Sequence, residues 1–148
     1  FHAHVGELVG VAGSDEAVSG VFRRFRVPIV AKSSNANTQA YYIAQPMKQV
    51  RRIVETLERH HPDASVRTRK IAFVSVIGAN LRRKGLLSQA ATALEEAGID
   101  VIAAHAQGRG VDLQFVLPEG SYADGVRALH KALIETQARA DTEALVAA

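Results

Sequence analysis

The chain has 148 residues, 47% of them hydrophobic and 22% charged, a composition of one average globular domain or two small ones rather than of a disordered segment. No apolar run approaches the roughly 18 residues of a membrane span and no secretory signal pattern opens the chain, while the absence of cysteine excludes disulfides, thiolate nucleophiles and cysteine zinc sites and fits a cytoplasmic setting. The net charge of +3 is spread over small clusters, Arg23-Arg24, Arg51-Arg52 and residues 67–70 and 82–84, as on a solvated surface. The chain opens on Phe1 rather than Met, and further sequence is expected upstream.

In chain order, residues 7–12 are apolar and β-branched and end at Gly13, which predicts a strand. Val18, Val21, Phe22 and Phe25 fall at i, i+3, i+4 and i+7, one face of a helix that Ser14 can cap. Strands are predicted over 28–32 and 39–44, joined by a turn at Asn35-Ala36-Asn37, and a helix over 47–59 that Pro62 stops. Residues 66–69, leading into Ile71, supply a fourth strand. Residues 71–77 then start the pattern again: strand, glycine, and a helix marked by Ala90, Ala93, Leu94 and Ala97, with Gly98 as its left-handed stop. Strands over 100–104 and 111–117 flank the turn Gln107-Gly108-Arg109-Gly110. A last helix is expected from Ser121, with Asp124 at capping-box spacing, to about residue 137, followed by an apolar run at 143–147.

Three segments match in the same order. Leu8-Val9-Gly10-Val11-Ala12-Gly13 resembles Phe73-Val74-Ser75-Val76-Ile77-Gly78. Val27-Pro28-Ile29-Val30-Ala31 resembles Ile99-Asp100-Val101-Ile102-Ala103, and Val50, Ile53 and Leu57 match Val126, Leu129 and Leu133. Such ordered matches indicate an internal duplication. The amphipathic helices each need a sheet face to cover. The expected fold is therefore α+β: two ferredoxin-like βαββαβ units, antiparallel sheets with helices on one face, over 1–70 and 71–141, the first completed by a C-terminal strand at 142–148. Units of about 70 residues bury little alone, so they are expected to pack together and to pair with a second chain.

The best candidate site is the stretch from Ile77 to Leu87, where a strand ends in glycine, a loop follows and Gly85 opens a helix. Free N–H groups at a helix start hold carboxylates, which every free amino acid carries. Unit 2 has seven more residues here than unit 1, residues 79–85. Unit 1 instead places Asp15 and Glu16 at its helix start, where either could meet an ammonium group. Spacing alone also suits an ordinary connector with two turn glycines.

The other motifs are plain. His2 and His4 lie near the terminus, His60-His61 end a helix where a cation suits the dipole, His130 is expected on the apolar side of the last helix, and His105 has no acidic neighbour in sequence. No HExxH, Ser-His-Asp or Walker pattern is present, and Gly108-Arg109-Gly110 is too short to read as a phosphate loop. No catalytic residue, metal ligand or cofactor is therefore expected. The βαββαβ order is shared with RNA-recognition modules, but their basic-aromatic signature is absent and Tyr41 and Tyr42, being adjacent, face opposite ways. No nucleic-acid partner and no membrane is expected.

The strand Ile71-Ala72-Phe73-Val74-Ser75-Val76-Ile77-Gly78, then Gly85, the segment Ala93-Leu94-Glu95-Glu96-Ala97-Gly98-Ile99-Asp100-Val101 and the helix Val126-Arg127-Ala128-Leu129-His130 resemble the C-terminal ACT domain of aspartokinases. Unit 1 is similar to the preceding ACT domain in layout. The resemblance implies that the second ACT domain is inserted in the first, whose last strand comes from the chain's end, a role residues 143–147 fit. It implies pairing between two copies, an effector such as lysine or threonine at the interface, and a kinase domain upstream of a chain with no catalytic site of its own. Carried to matching positions, the effector residues are Asn80, Arg83, Gly85, Leu86, Leu87, Asp100, Val101 and Ile102. Three features depart from the family: unit 1 lacks the loop, Arg83 replaces a small polar residue, and His105-Ala106-Gln107-Gly108 replaces a serine-glutamate pair. The other readings are a dimerisation module without ligand and an ACT pair from another amino-acid enzyme.

Overall fold

The predicted strands at 66–69 and 71–77 are one strand, β4 (Ser65–Ile77): no glycine or proline interrupts the run, so nothing turns the backbone between them. This computed structural model describes residues 2–9, 14–35, 38–63, 65–78, 81, 84–106 and 110–135. The chain divides into two units, Phe1–Ile71 and Ala72–Ala148, and β4 begins in the first and ends in the second.

Unit 1 runs β1 (His2–Val9), α1 (Ser14–Phe25), β2 (Ile29–Asn35), β3 (Thr38–Ile43), α2 (Met47–His60) and the first half of β4. Its sheet order is β2-β3-β1-β4, the ferredoxin-like arrangement. β3 runs antiparallel to both neighbours, with Tyr41 opposite Gly6 of β1 and Lys32 of β2. Both helices cover one face. Val18, Val21 and Phe22 of α1 and Val50, Ile53 and Leu57 of α2 meet Tyr41 and Ile43 of β3 in a single core. The i, i+3, i+4 spacing puts those helical residues on one stripe, and alternation along β3 puts Tyr41 and Ile43 on the same face. Ser14 lies inside the helix rather than before it. α1 is also matched to its dipole, with Asp15 and Glu16 in its first turn and Arg23 and Arg24 in its last.

Unit 2 takes the second half of β4, then α3 (Leu86–Glu96), β5 (Ala103–Ala106), β6 (Asp112–Pro118), a 3-10 turn (Glu119–Ser121), α4 (Tyr122–His130) and a π-helical turn (Lys131–Glu135). β6 is central, between β4 and β5, and pairs antiparallel with β5. Leu113, Phe115 and Leu117 of β6 pack beneath Leu86, Ala90 and Leu94 of α3 and Leu129 of α4, with Val74 of β4.

Four expectations are corrected here. β5 starts at Ala103, not at Asp100; Ile102 donates its N–H to Val116 at 2.9 Å, and Asp100 and Val101 belong to the connection before the ladder. Ser121 makes no side-chain cap, because the chain enters α4 through the 3-10 turn; Asp124 pairs with Arg127 instead. Within the described residues α4 gives way to the π turn after His130, so the single α-helix expected from Ser121 is replaced by three short helical pieces. His130 is exposed, not core, and its Nδ1 lies 3.2 Å from Glu135. The expected strand at 143–147 and the turn residues 36–37 and 107–109 lie outside the described residues.

The repeat is visible in the helix ends. α3 stops on Gly98, whose φ is 71°, with Ile99 N–H bonded to Leu94 O at 3.0 Å and Gly98 N–H to Glu95 O at 2.8 Å, a Schellman-type cap. α1 stops the same way, Val27 N–H to Phe22 O at 2.9 Å and Arg26 N–H to Arg23 O at 3.1 Å, but the left-handed position holds Arg26, with φ 52°. A side chain there strains the backbone by about 1 kcal/mol that glycine avoids. Arg26→Gly is therefore expected to raise unfolding stability by up to about 1 kcal/mol, read as a higher urea midpoint at unchanged slope. An unchanged or lowered midpoint would show that the arginine side chain offsets that strain.

Candidate functional site

The loop after β4 is tied to the start of β6. Gly78 N–H bonds Val111 O at 3.1 Å and Leu81 N–H bonds Gly110 O at 3.0 Å. The loop ends on Gly85, whose φ of 81° suits a residue without Cβ. Gly85 offers no side-chain cap to α3. Its carbonyl accepts the Gln89 N–H at 2.8 Å, so the N–H groups of Leu86, Leu87 and Ser88 precede the first intrahelical donor. Leu86 is buried in the core of unit 2 and anchors the turn, while Leu87 is 46% exposed beside it. A Cβ built on Gly85 meets nothing within 4 Å; the glycine is needed for its conformation, not for space. Asn80 and Arg83 lie outside the described residues.

Asp100, Val101 and Ile102 lie elsewhere. They follow the far end of α3, where Ala91, Glu95, Gly98, Ile99, Asp100 and Val101 line an open cavity of about 380 Å³. Glu95 and Asp100 are exposed, so the cavity carries two carboxylates at a helix C-terminus, where the dipole is also negative. α3 spans 11 residues with no acid in its first turn and no base in its last. At 1.5 Å per residue the two groups of carried-over residues are separated by roughly 16 Å. One end suits a carboxylate and the other an ammonium, and a free amino acid is too short to join them within one unit. Sequence reasoning missed Glu95, although its place in the last turn of α3, five residues before Asp100, was a usable signal. A larger hollow, about 620 Å³, follows the α3–α4 side past Gln89, Ala93, Ala97, Ala128 and Ala132 and contains none of the carried-over residues.

The start of α1 is built differently. Lys32 Nζ lies 2.5 Å from the Asp15 carboxylate, and the Tyr41 hydroxyl donates to that same carboxylate. The Gln39 amide lies 2.7 Å from the phenol oxygen. Lys32 also sits 5.3 Å from the centre of the Tyr41 ring, which stacks edge-on against Phe22 with centroids 5.1 Å apart. Hydrogen bonds from Lys32 and then Tyr41 hold the Asp15 carboxyl below the ordinary aspartate range. Burial, and then the Asp15 anion, push the Tyr41 phenol far above the usual tyrosine value. Asp15 thus meets an ammonium group, as an acid at this place can, but one from its own unit.

Tyr41 and Tyr42 are both buried, so β3 presents no ring to a base. Among the described residues no cluster of His, Asp and Glu is placed to hold a metal, and no helix is long and apolar enough to cross a membrane.

No family model matches the chain. Its sequence is 36% identical over 135 residues to the aspartate kinase Ask_Ect of Stutzerimonas stutzeri (strain A1501), a match covering 91% of this chain and 28% of that protein. The chain thus spans less than a third of this relative's length. Its fold superposes on the regulatory subunit of aspartate kinase from Thermus flavus with a TM-score of 0.73, at 18% identity, over 88% of this chain and 92% of that one. It superposes on E. coli aspartokinase III in complex with lysine and aspartate with a TM-score of 0.71, at 16% identity, over 90% of this chain and 31% of that one. The resemblance to aspartate kinases therefore holds in sequence, and the described residues share the fold of the Thermus flavus regulatory subunit.

The Asp15 arrangement makes stability depend on pH at both extremes. A lowered carboxyl value favours folding above aspartate's ordinary value of 3.8, and that contribution is lost as pH falls through the folded value. A raised phenol value favours folding below tyrosine's ordinary value of 10.0, and that contribution is lost as pH rises beyond it. Asp15→Asn is expected to flatten the acid side of a melting-temperature profile below about pH 4. Tyr41→Phe is expected to flatten the alkaline side above about pH 10. Profiles parallel to wild type would show that neither group is linked to folding.

Proposed function

We propose that the chain is the allosteric regulatory region of an aspartate kinase, working as a homodimer that senses a free amino acid, lysine or threonine, for an upstream kinase domain. In this reading the two units are ACT domains, the first completed by residues 142–148, in a cytoplasmic enzyme of amino-acid biosynthesis. The effector carboxylate meets the start of α3 at Gly85, Leu86 and Leu87, with Asn80 and Arg83 on the loop before it. The effector ammonium meets Asp100 and the backbone of Val101 and Ile102, with Glu95 beside them.

The observation that carries this reading is the separation of those two groups by the length of α3. Two copies paired antiparallel along that helix about a two-fold axis would bring the start of one α3 to the end of the other, and would make two equivalent sites. Among the described residues β5 is an edge strand, and its backbone suits such a pairing. The lysine in the E. coli aspartokinase III complex supports the ligand class.

Screening the twenty amino acids by thermal shift is expected to single out lysine or threonine, since a ligand of the native state raises its melting temperature, by about 2.7 kcal/mol of stability at 100 times Kd. Light scattering is expected to give a dimer mass. The shared site has a sharper test. Asp100→Asn and Leu87→Asp chains should each lose binding by calorimetry, and mixed chains should regain it at one site per dimer. No recovery on mixing would place both halves of the site on one chain and defeat the two-copy arrangement.

A further inference from the structure

Unit 1 contains a charged constellation that the reading of unit 2 does not use. Lys32 stands directly opposite Tyr41 in the β2–β3 ladder, so both side chains lie on the face that α1 covers. Its ammonium reaches the Asp15 carboxylate at 2.5 Å and the Tyr41 ring at 5.3 Å. A carboxylate set at the rim of an aromatic face is the chemistry that recognises a primary ammonium: a charge-assisted hydrogen bond from one side, cation–π attraction from the other.

The constellation is also fixed in place. Tyr41 is 1% exposed, held by Phe22 against its ring and by Asp15 and Gln39 at its hydroxyl. Asp15 sits in the first turn of α1, where the dipole favours its charge. Lys32, by contrast, comes from the edge strand β2 on a flexible four-carbon stem. The rigid side of the arrangement is the receptor and the mobile side is the cation.

We propose that Asp15 and Tyr41 form an ammonium-binding site in unit 1 that Lys32 fills as a tethered ligand, so that a free primary alkylammonium enters only when the lysine amine is removed. The consequence is a division of labour. The start of α1 is filled from within, while the start of α3 has no such occupant among the described residues, so unit 1 is closed to a free amine there. The proposal stands apart from the reading of unit 2 and holds even if no amino acid binds that unit.

The test is chemical rescue of the full chain by n-butylammonium chloride, followed by amide NMR shifts at Asp15 and Tyr41. Lys32→Ala is expected to show saturable shifts at both positions and a melting temperature that recovers with the amine but not with sodium chloride at equal ionic strength. Wild type is expected to show no saturable shift at either position. Lys32→Ala combined with Asp15→Asn is expected to lose the response. Shifts confined to Asp100 would report unit 2 and leave this site without a ligand. Equal responses in wild type and Lys32→Ala, or a response that survives Asp15→Asn, would overturn the proposal. Should Lys32→Ala fail to fold, Lys32→Ser, which extends the Ser33-Ser34 run, carries the same measurement.

Discussion

Each unit depends on one central strand being covered on one face by a pair of helices. In unit 1 that strand is β3, where Tyr41 and Ile43 meet α1 and α2; in unit 2 it is β6, where Leu113, Phe115 and Leu117 meet α3 and α4. A fully buried side chain of this size contributes about 1.5–3 kcal/mol, so these few contacts set where each helix lies. Once the helices are placed, so are their ends. The charged residues around α1 and the candidate site of unit 2 both lie at those ends.

A helix terminus has a sign, and the two units treat it in opposite ways. α1 compensates its dipole with its own acids and bases, and the acid nearest its start is satisfied by a lysine and a tyrosine of the same unit. α3 does neither. Its start follows a glycine without a capping side chain, and its end carries Glu95 and Asp100 where a cation would be favourable. The two similar scaffolds thus differ at their helix starts, by a longer loop before α3 and a short set of charged residues around α1.

The parts of the fold that were legible in the sequence are those written in periodicity and turn chemistry. Val18, Val21 and Phe22 announced α1, Ala90 and Leu94 announced α3, and Gly98 announced the stop of α3, because 3.6-residue spacing and positive φ leave direct traces in residue type. What failed was local signal competing with its surroundings. Ser121 and Asp124 have capping-box spacing, yet a 3-10 turn takes the chain into α4 and Asp124 turns to Arg127. His130 falls near apolar residues in sequence but outside the stripe that Leu129 and Leu133 bury. Arg26 is the least legible of all, since a left-handed arginine has no sequence signature and is seen only by comparison with its counterpart Gly98.

The sequence by itself determined the α+β order of elements and the amphipathic faces, because each depends on spacing along the chain, whereas the residues of the candidate site were carried over from the resemblance to aspartokinases. Only the tertiary structure decided how those residues are distributed in space. Gly85, Leu86 and Leu87 stand at one end of α3, Asp100, Val101 and Ile102 at the other, and Asp15 is already bonded to Lys32 and Tyr41. Residues 15, 32 and 41 are brought together by a helix packing on a two-stranded ladder, a contact that linear spacing does not encode.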